Sequence, residues 1–203
     1  MIKPEWLGRY HGCPEREKFR RLVLSCDPAG KPGIDNDYTA ICVVGLGMDS
    51  SCYVLQVVRG HWTVRQMLDA ILALTASLKP DLVLVEDTAS GMGLIQLLQE
   101  HRIQVRGLRS KDNKETRMSR HQARFEVGRI ALPFEALWLA EFERELLAFP
   151  HGRHDDQVDA LLLFLDWLSE NESYIKPKLV GPIIVTRSSM GLLPLGEEWS
   201  CHY

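Results

Sequence analysis

Leu22-Val23-Leu24-Ser25-Cys26-Asp27-Pro28-Ala29-Gly30 is a short apolar run that stops at a carboxylate and a turn. Such a run reads as a buried strand. A carboxylate at its end is costly unless water, a partner charge or a metal ion receives it. The pattern recurs in Asp81-Leu82-Val83-Leu84-Val85-Glu86, an apolar run of the type buried on both faces of a parallel sheet, ending in Glu86-Asp87-Thr88. Two strands that each end in an acid set the expected architecture, because ligands of open α/β sheets bind at strand ends.

Between these runs, Tyr38 to Val44 and Cys52 to Val58 are rich in β-branched and aromatic residues and flank Gly45-Leu46-Gly47-Met48-Asp49-Ser50. With the first run they predict an antiparallel meander of three strands. After Gly60 the period changes: Val64, Met67, Leu68, Ile71, Leu72, Leu74 and Leu78 recur at helical spacing, with Thr63 as N-cap and Pro80 as stop. A helix from Gly93 to His101, a strand at Gln104 to Leu108 and helices at 114–128, 136–148 and 155–169 follow. This order puts the first and fourth strands side by side in a mixed sheet. Residues 1–20 read as a polar lead-in, 21–170 as the domain and 171–203 as an extended tail.

A chain of 203 residues with 45% hydrophobic and 25% charged residues has the composition of an average globular domain. Disordered, collagen-like and coiled-coil classes are excluded. No window holds the roughly 18 apolar residues of a membrane span, and the first residues lack a secretory pattern. The five cysteines form no Cys-x-x-Cys, and they read as free thiols of a reducing compartment rather than zinc ligands.

A third acidic segment, His154-Asp155-Asp156-Gln157-Val158-Asp159, opens the last helix. Asp155 and Asp159 share a helix face, as do Asp156 and Asp159. Each acid alone has a plainer reading: Asp27 as a turn former, Glu86 as a surface acid, Asp155 and Asp156 as helix caps. The combination points further. Several acids converging without local basic partners would repel one another, and a hard divalent cation resolves that with oxygen ligands.

The order of elements and acids resembles the ribonuclease H-like nuclease fold. More narrowly, it resembles the C-terminal nuclease domain of the large terminase subunit of tailed bacteriophages. The likeness is carried by Leu24-Ser25-Cys26-Asp27-Pro28-Ala29 with Asp35-Asn36-Asp37-Tyr38-Thr39-Ala40, by Val85-Glu86-Asp87-Thr88-Ala89-Ser90-Gly91, by the basic stretch Arg109-Ser110-Lys111-Asp112 with Lys114, and by His154-Asp155-Asp156-Gln157-Val158-Asp159-Ala160-Leu161. It covers roughly residues 22–168.

The resemblance implies metal-dependent cleavage of double-stranded DNA with two Mg²⁺ or Mn²⁺ ions. Asp27, Glu86 and Asp156 would be the catalytic acids, and Asp155 a further metal ligand. Asp159, Asp37 and His154 would be auxiliary. In a two-ion mechanism Asp27 would bridge, one ion activating water and the other stabilising the leaving 3′-oxygen. The family's partners would be a packaging ATPase domain or subunit, the small terminase and the portal, in the cytoplasm of the bacterial host. No Gly-x-x-x-x-Gly-Lys-Ser/Thr loop occurs, so the chain reads as the nuclease without its motor. A Holliday-junction resolvase or transposase-like nuclease of the same fold is one alternative, and a non-catalytic DNA- or portal-docking module is another.

The net charge of −3 discourages a DNA-binding reading, but its distribution does not. Residues 101–131 hold nine Lys or Arg against Asp112, Glu115 and Glu126, a local balance of +6. Arg109, Lys111, Lys114, Arg117, Arg120 and Arg124 are the expected DNA contacts, the last three on one helix face. Phe125 is the lone aromatic there, which favours duplex over single-strand binding.

Overall fold

Period-two alternation decides which face of the sheet receives each side chain, and the central strands here are buried on both. The computed structural model describes residues 2–12, 14–29, 38–110 and 112–171, so expectations on Asp37, Lys111 and the tail beyond residue 171 lie outside it. Strands β2 (Phe19–Asp27), β3 (Thr39–Gly47) and β4 (Cys52–Gly60) form the antiparallel meander. Strand β5 (Leu82–Glu86) lies parallel to β2, and β6 (Val105–Leu108) parallel to β5. With β1 (Gly8–Tyr10) and β7 (Ile130–Pro133), the sheet is a mixed, seven-stranded one in the order β1-β7-β4-β3-β2-β5-β6.

Two of those strands escape the sequence reading. Gly8–Tyr10 (β1) and Ile130–Pro133 (β7) pair in parallel at one margin, where β7 also joins β4. Neither is long enough to display alternation. The lead-in therefore contributes an edge strand, and Ile2 and Leu7 are buried in the core.

Helices α1 (Val64–Leu78) and α2 (Ala89–Glu100) cover one face, over Leu22, Leu24, Cys26, Ile41, Val83 and Val85. Helices α3 (Lys114–Glu126), α4 (Leu139–Ala148) and α5 (Asp156–Asn171) join the core of the other face, over Val23, Ala40, Cys42, Val44 and Leu84. Thr63 caps α1 in a reciprocal capping box with Gln66. The α2 helix starts at Ala89, earlier than predicted, because Gly91 and Gly93 hide its first turn from a propensity reading.

Helix α5 is buried almost all round, from Asp156 to Leu168. Each of its Leu and Phe side chains contributes about 1.5–3 kcal/mol by burial, so the helix is fixed firmly over β2 and β3. That anchorage places its acidic first turn.

Candidate functional site

Register brings the first two acids together. Cys26 is the partner of Val85 in the parallel β2–β5 pair, so Asp27 and Glu86 stand side by side at the C-terminal strand ends. Alternation then gives them a common direction. Asp27 shares the face of Val23 and Ser25, and Glu86 that of Leu84, the face covered by α5. Ser25 Oγ ties strand to helix by donating to the Ala160 carbonyl at 2.7 Å. Asp156 and Asp159, 5% and 7% exposed, enter the same space from the first turn of α5.

The electrostatics follow from this crowding. Burial foremost, then a hydrogen bond with Glu86 and the charges of Glu86, Asp159 and Asp156, holds Asp27 well above the ordinary carboxylate range. Burial likewise raises Asp159, to about 6, although Lys114 and Arg117 pull it back. Asp159 Oδ1 is buried without a hydrogen bond.

Residues outside the acidic set fix its geometry. Ser110 Oγ donates to Glu86 Oε1 at 2.7 Å. Behind Glu86, Gly91 lets α2 start against the strand end: a Cβ there would lie 2.0 Å from the Glu86 carbonyl oxygen. This accounts for the glycine in the Glu86–Gly91 motif. Glu145 of α4 accepts the backbone N–H groups of Gln157 and Val158 at 2.6 and 3.2 Å, capping α5 from another helix. His154 Nδ1 lies 3.8 Å from Asp156 Oδ2, and its ring meets Tyr38 edge-on.

The basic set is arranged differently from its sequence. Arg117, an expected DNA contact, is only 4% exposed, with Nε 2.6 Å from Asp166 Oδ2 and Nη1 3.5 Å from Asp159 Oδ1. Arg120 pairs with Asp112 and Asp166, and Lys114 with Asp155 and Asp159. Arg124 is half-buried. The three arginines of α3 therefore do not form one open basic face, because acids distant in sequence pair with its cations. Arg109 is exposed, one residue from Ser110. Asp166, His121 and Glu145 escape the sequence reading, and Ser110 stands there only as a member of the basic stretch. Asp166 leaves a faint trace, as an acid seven residues after Asp159 in an apolar helix.

The donor set suits a hard divalent cation: carboxylates of Asp27, Glu86 and Asp156 from three elements, with Asp27 raised by burial first and then by the hydrogen bond and charges of its acidic neighbours. Among the described residues, no three His, Cys, Asp or Glu side chains form a preassembled metal cluster. Asp27 and Glu86 instead hydrogen-bond to each other. Cys26, Cys42 and Cys52 are buried, and burial pushes the Cys26 and Cys42 thiols up, so neither of those two is an activated nucleophile.

A sequence model described as the terminase RNase H-like domain matches residues 24–167, most of the chain and all of the acidic positions. The chain belongs to that family. Among solved structures, this terminase domain is similar to the large terminase of a thermophilic bacteriophage, at 16% identity and a TM-score of 0.63. The match covers 83% of this chain and 43% of that one, so the chain corresponds to less than half of that large terminase. It is also similar to the large terminase nuclease of the thermophilic phage G20c, solved with bound zinc and with bound magnesium. Both G20c matches show 21% identity and a TM-score of 0.57, and each covers 78% of this chain and 92% of that one. No curated protein matches the sequence. The fold is that of a ribonuclease H-like terminase nuclease domain, and no helix among the described residues is long and apolar enough to cross a membrane.

Proposed function

We propose that this terminase domain is a divalent-metal-dependent endonuclease that cleaves double-stranded DNA during viral genome packaging. The observation that carries the reading is the adjacency of Asp27 and Glu86 at neighbouring strand ends, with Asp156 entering from α5. The zinc, magnesium and cobalt bound by the G20c nuclease support a divalent ion as cofactor. Asp27, Glu86 and Asp156 would hold it. A bound divalent ion supplies activation of the attacking water and stabilisation of the leaving 3′-oxygen, and no protein nucleophile is needed.

The chain's own groups do the rest. Ser110 fixes the Glu86 carboxylate, and Glu145 fixes the helix end that carries Asp156. Arg109, exposed beside Ser110, contacts backbone phosphate and positions the duplex without reading its sequence. His154, next to Asp156, orients a phosphate oxygen or water. The proposed partners are duplex DNA, a packaging ATPase, the small terminase and the portal, in the cytoplasm of the bacterial host.

The test is incubation with supercoiled plasmid and Mn²⁺ or Mg²⁺, with and without EDTA, beside Asp27→Ala and Glu86→Ala. Metal-dependent cleavage by the parent, lost in both variants, is expected. Cleavage that survives in both variants would overturn the site. A folded parent inactive with every metal would turn the reading towards a docking module.

A further inference from the structure

Asp27, Glu86, Asp155, Asp156 and Asp159 crowd this end of the sheet, and Asp155 and Asp159 are held by a lysine. Lys114 Nζ lies 2.8 Å from Asp155 Oδ1 and 2.5 Å from Asp159 Oδ2. Arg117 adds a second cation 3.5 Å from Asp159 Oδ1. Among the described residues, no lysine or arginine forms an ion pair with Asp27 or Glu86.

The position of Lys114 is itself informative. It is the first residue of α3, behind the Asn113 N-cap, where the helix dipole disfavours a cation. Two carboxylates from α5 and the turn before it offset that cost. The lysine thus bridges the start of one helix to the start of another, and its target is the acidic segment rather than solvent.

We propose that Lys114 is a positioning residue that sorts the acids. It withdraws Asp155 and Asp159 from metal coordination and leaves the ion to the acids at the strand ends, Asp27 and Glu86, with Asp156. The inference rests on the metal-dependent reading above. A carboxylate in contact with an ammonium has lost most of its net charge and part of its lone-pair capacity, whereas Asp155, once released, would be a free ligand adjoining Asp156. Lys114 therefore limits how tightly the site binds a cation.

Mn²⁺ binding measured by titration calorimetry on the full chain, beside the Mn²⁺-dependent rise in melting temperature, tests this without reference to cleavage. Lys114→Met should bind Mn²⁺ about tenfold more tightly, since it removes a unit charge beside the ion and frees Asp155. Lys114→Arg, which keeps the charge, should bind like the parent. In Lys114→Met with Asp155→Asn most of the gain should vanish, because the two changes act on one contact. Should Lys114→Met fail to melt cooperatively, Lys114→Gln takes its place with the same expectation. Unchanged or weaker binding in a folded variant would overturn the proposal, as would a double variant that keeps the whole gain. If the parent itself binds no Mn²⁺, the metal-dependent reading falls as well; a parent that binds beside an unresponsive Lys114→Met refutes this inference alone.

Discussion

Glu145, on α4, accepts the backbone N–H of Gln157 at 2.6 Å and so holds the first turn of α5 from a separate helix. Its other oxygen accepts from the Gln157 side chain at 2.6 Å, and Arg59 approaches at 3.4 Å. A buried carboxylate so satisfied supplies the capping that a local Ser, Thr or Asp normally gives. The acidic turn is then free to face the strand ends.

Glu145→Ala would leave buried N–H donors without acceptors and take from Arg59 one of its two carboxylates, the other being Glu141. A loss of about 2–4 kcal/mol is expected from those unmet groups. Urea denaturation should show a lower midpoint with an unchanged slope. Cleavage should fall with it, because Asp156 sits one residue before Gln157.

Asp27 should display the opposite balance. Burial and the neighbouring acids disfavour its charge, so Asp27→Asn relieves repulsion in the metal-free protein. The variant should be more stable by about 0.5–2 kcal/mol, which for a chain of this size raises the melting temperature by a few degrees. It should also lose cleavage. Melting in EDTA checks the first expectation and a plasmid assay the second.

Asp166 gives a pH signature. Burial works against its charge, but hydrogen bonds from His121 and Arg117 and their charges hold its carboxyl below the usual carboxylate value. A depressed acid contributes stability that is present above its unfolded pKa of about 4 and lost as pH falls through the folded value. The stability gap between the parent and Asp166→Asn should therefore be widest near neutrality and narrow below about pH 4. Urea midpoints across that range measure it.

Arg109 and Arg117 should separate in DNA binding, although both lie in the same basic stretch. Arg109→Ala removes an exposed cation beside Ser110 and should lower the salt slope of duplex binding by about one. Arg117→Met removes a buried partner of Asp166 and Asp159 and should instead lower stability. Fluorescence anisotropy of a labelled duplex in EDTA, over a range of salt, distinguishes the two.

The meander, the β2–β5 adjacency and the acids at Asp27, Glu86 and the start of α5 were legible because long buried strands and a long apolar helix advertise their period. Strands β1 and β7 were not, being three and four residues long at the sheet margin. Charge misled for a related reason. A count along residues 101–131 sees Lys114, Arg117 and Arg120 but not Asp155, Asp159 and Asp166, which the fold lays against them. Glu145 and Ser110 act across the tertiary structure, and no local spacing signals that.

Whether Asp27, Glu86 and Asp156 together hold a divalent cation is decided by anomalous diffraction from crystals soaked in Mn²⁺. An anomalous peak is expected within ligand distance of the carboxylates of all three residues, absent from Asp27→Asn crystals treated alike. A peak elsewhere on a protein that still cleaves DNA, or one that persists unchanged in Asp27→Asn, would contradict it.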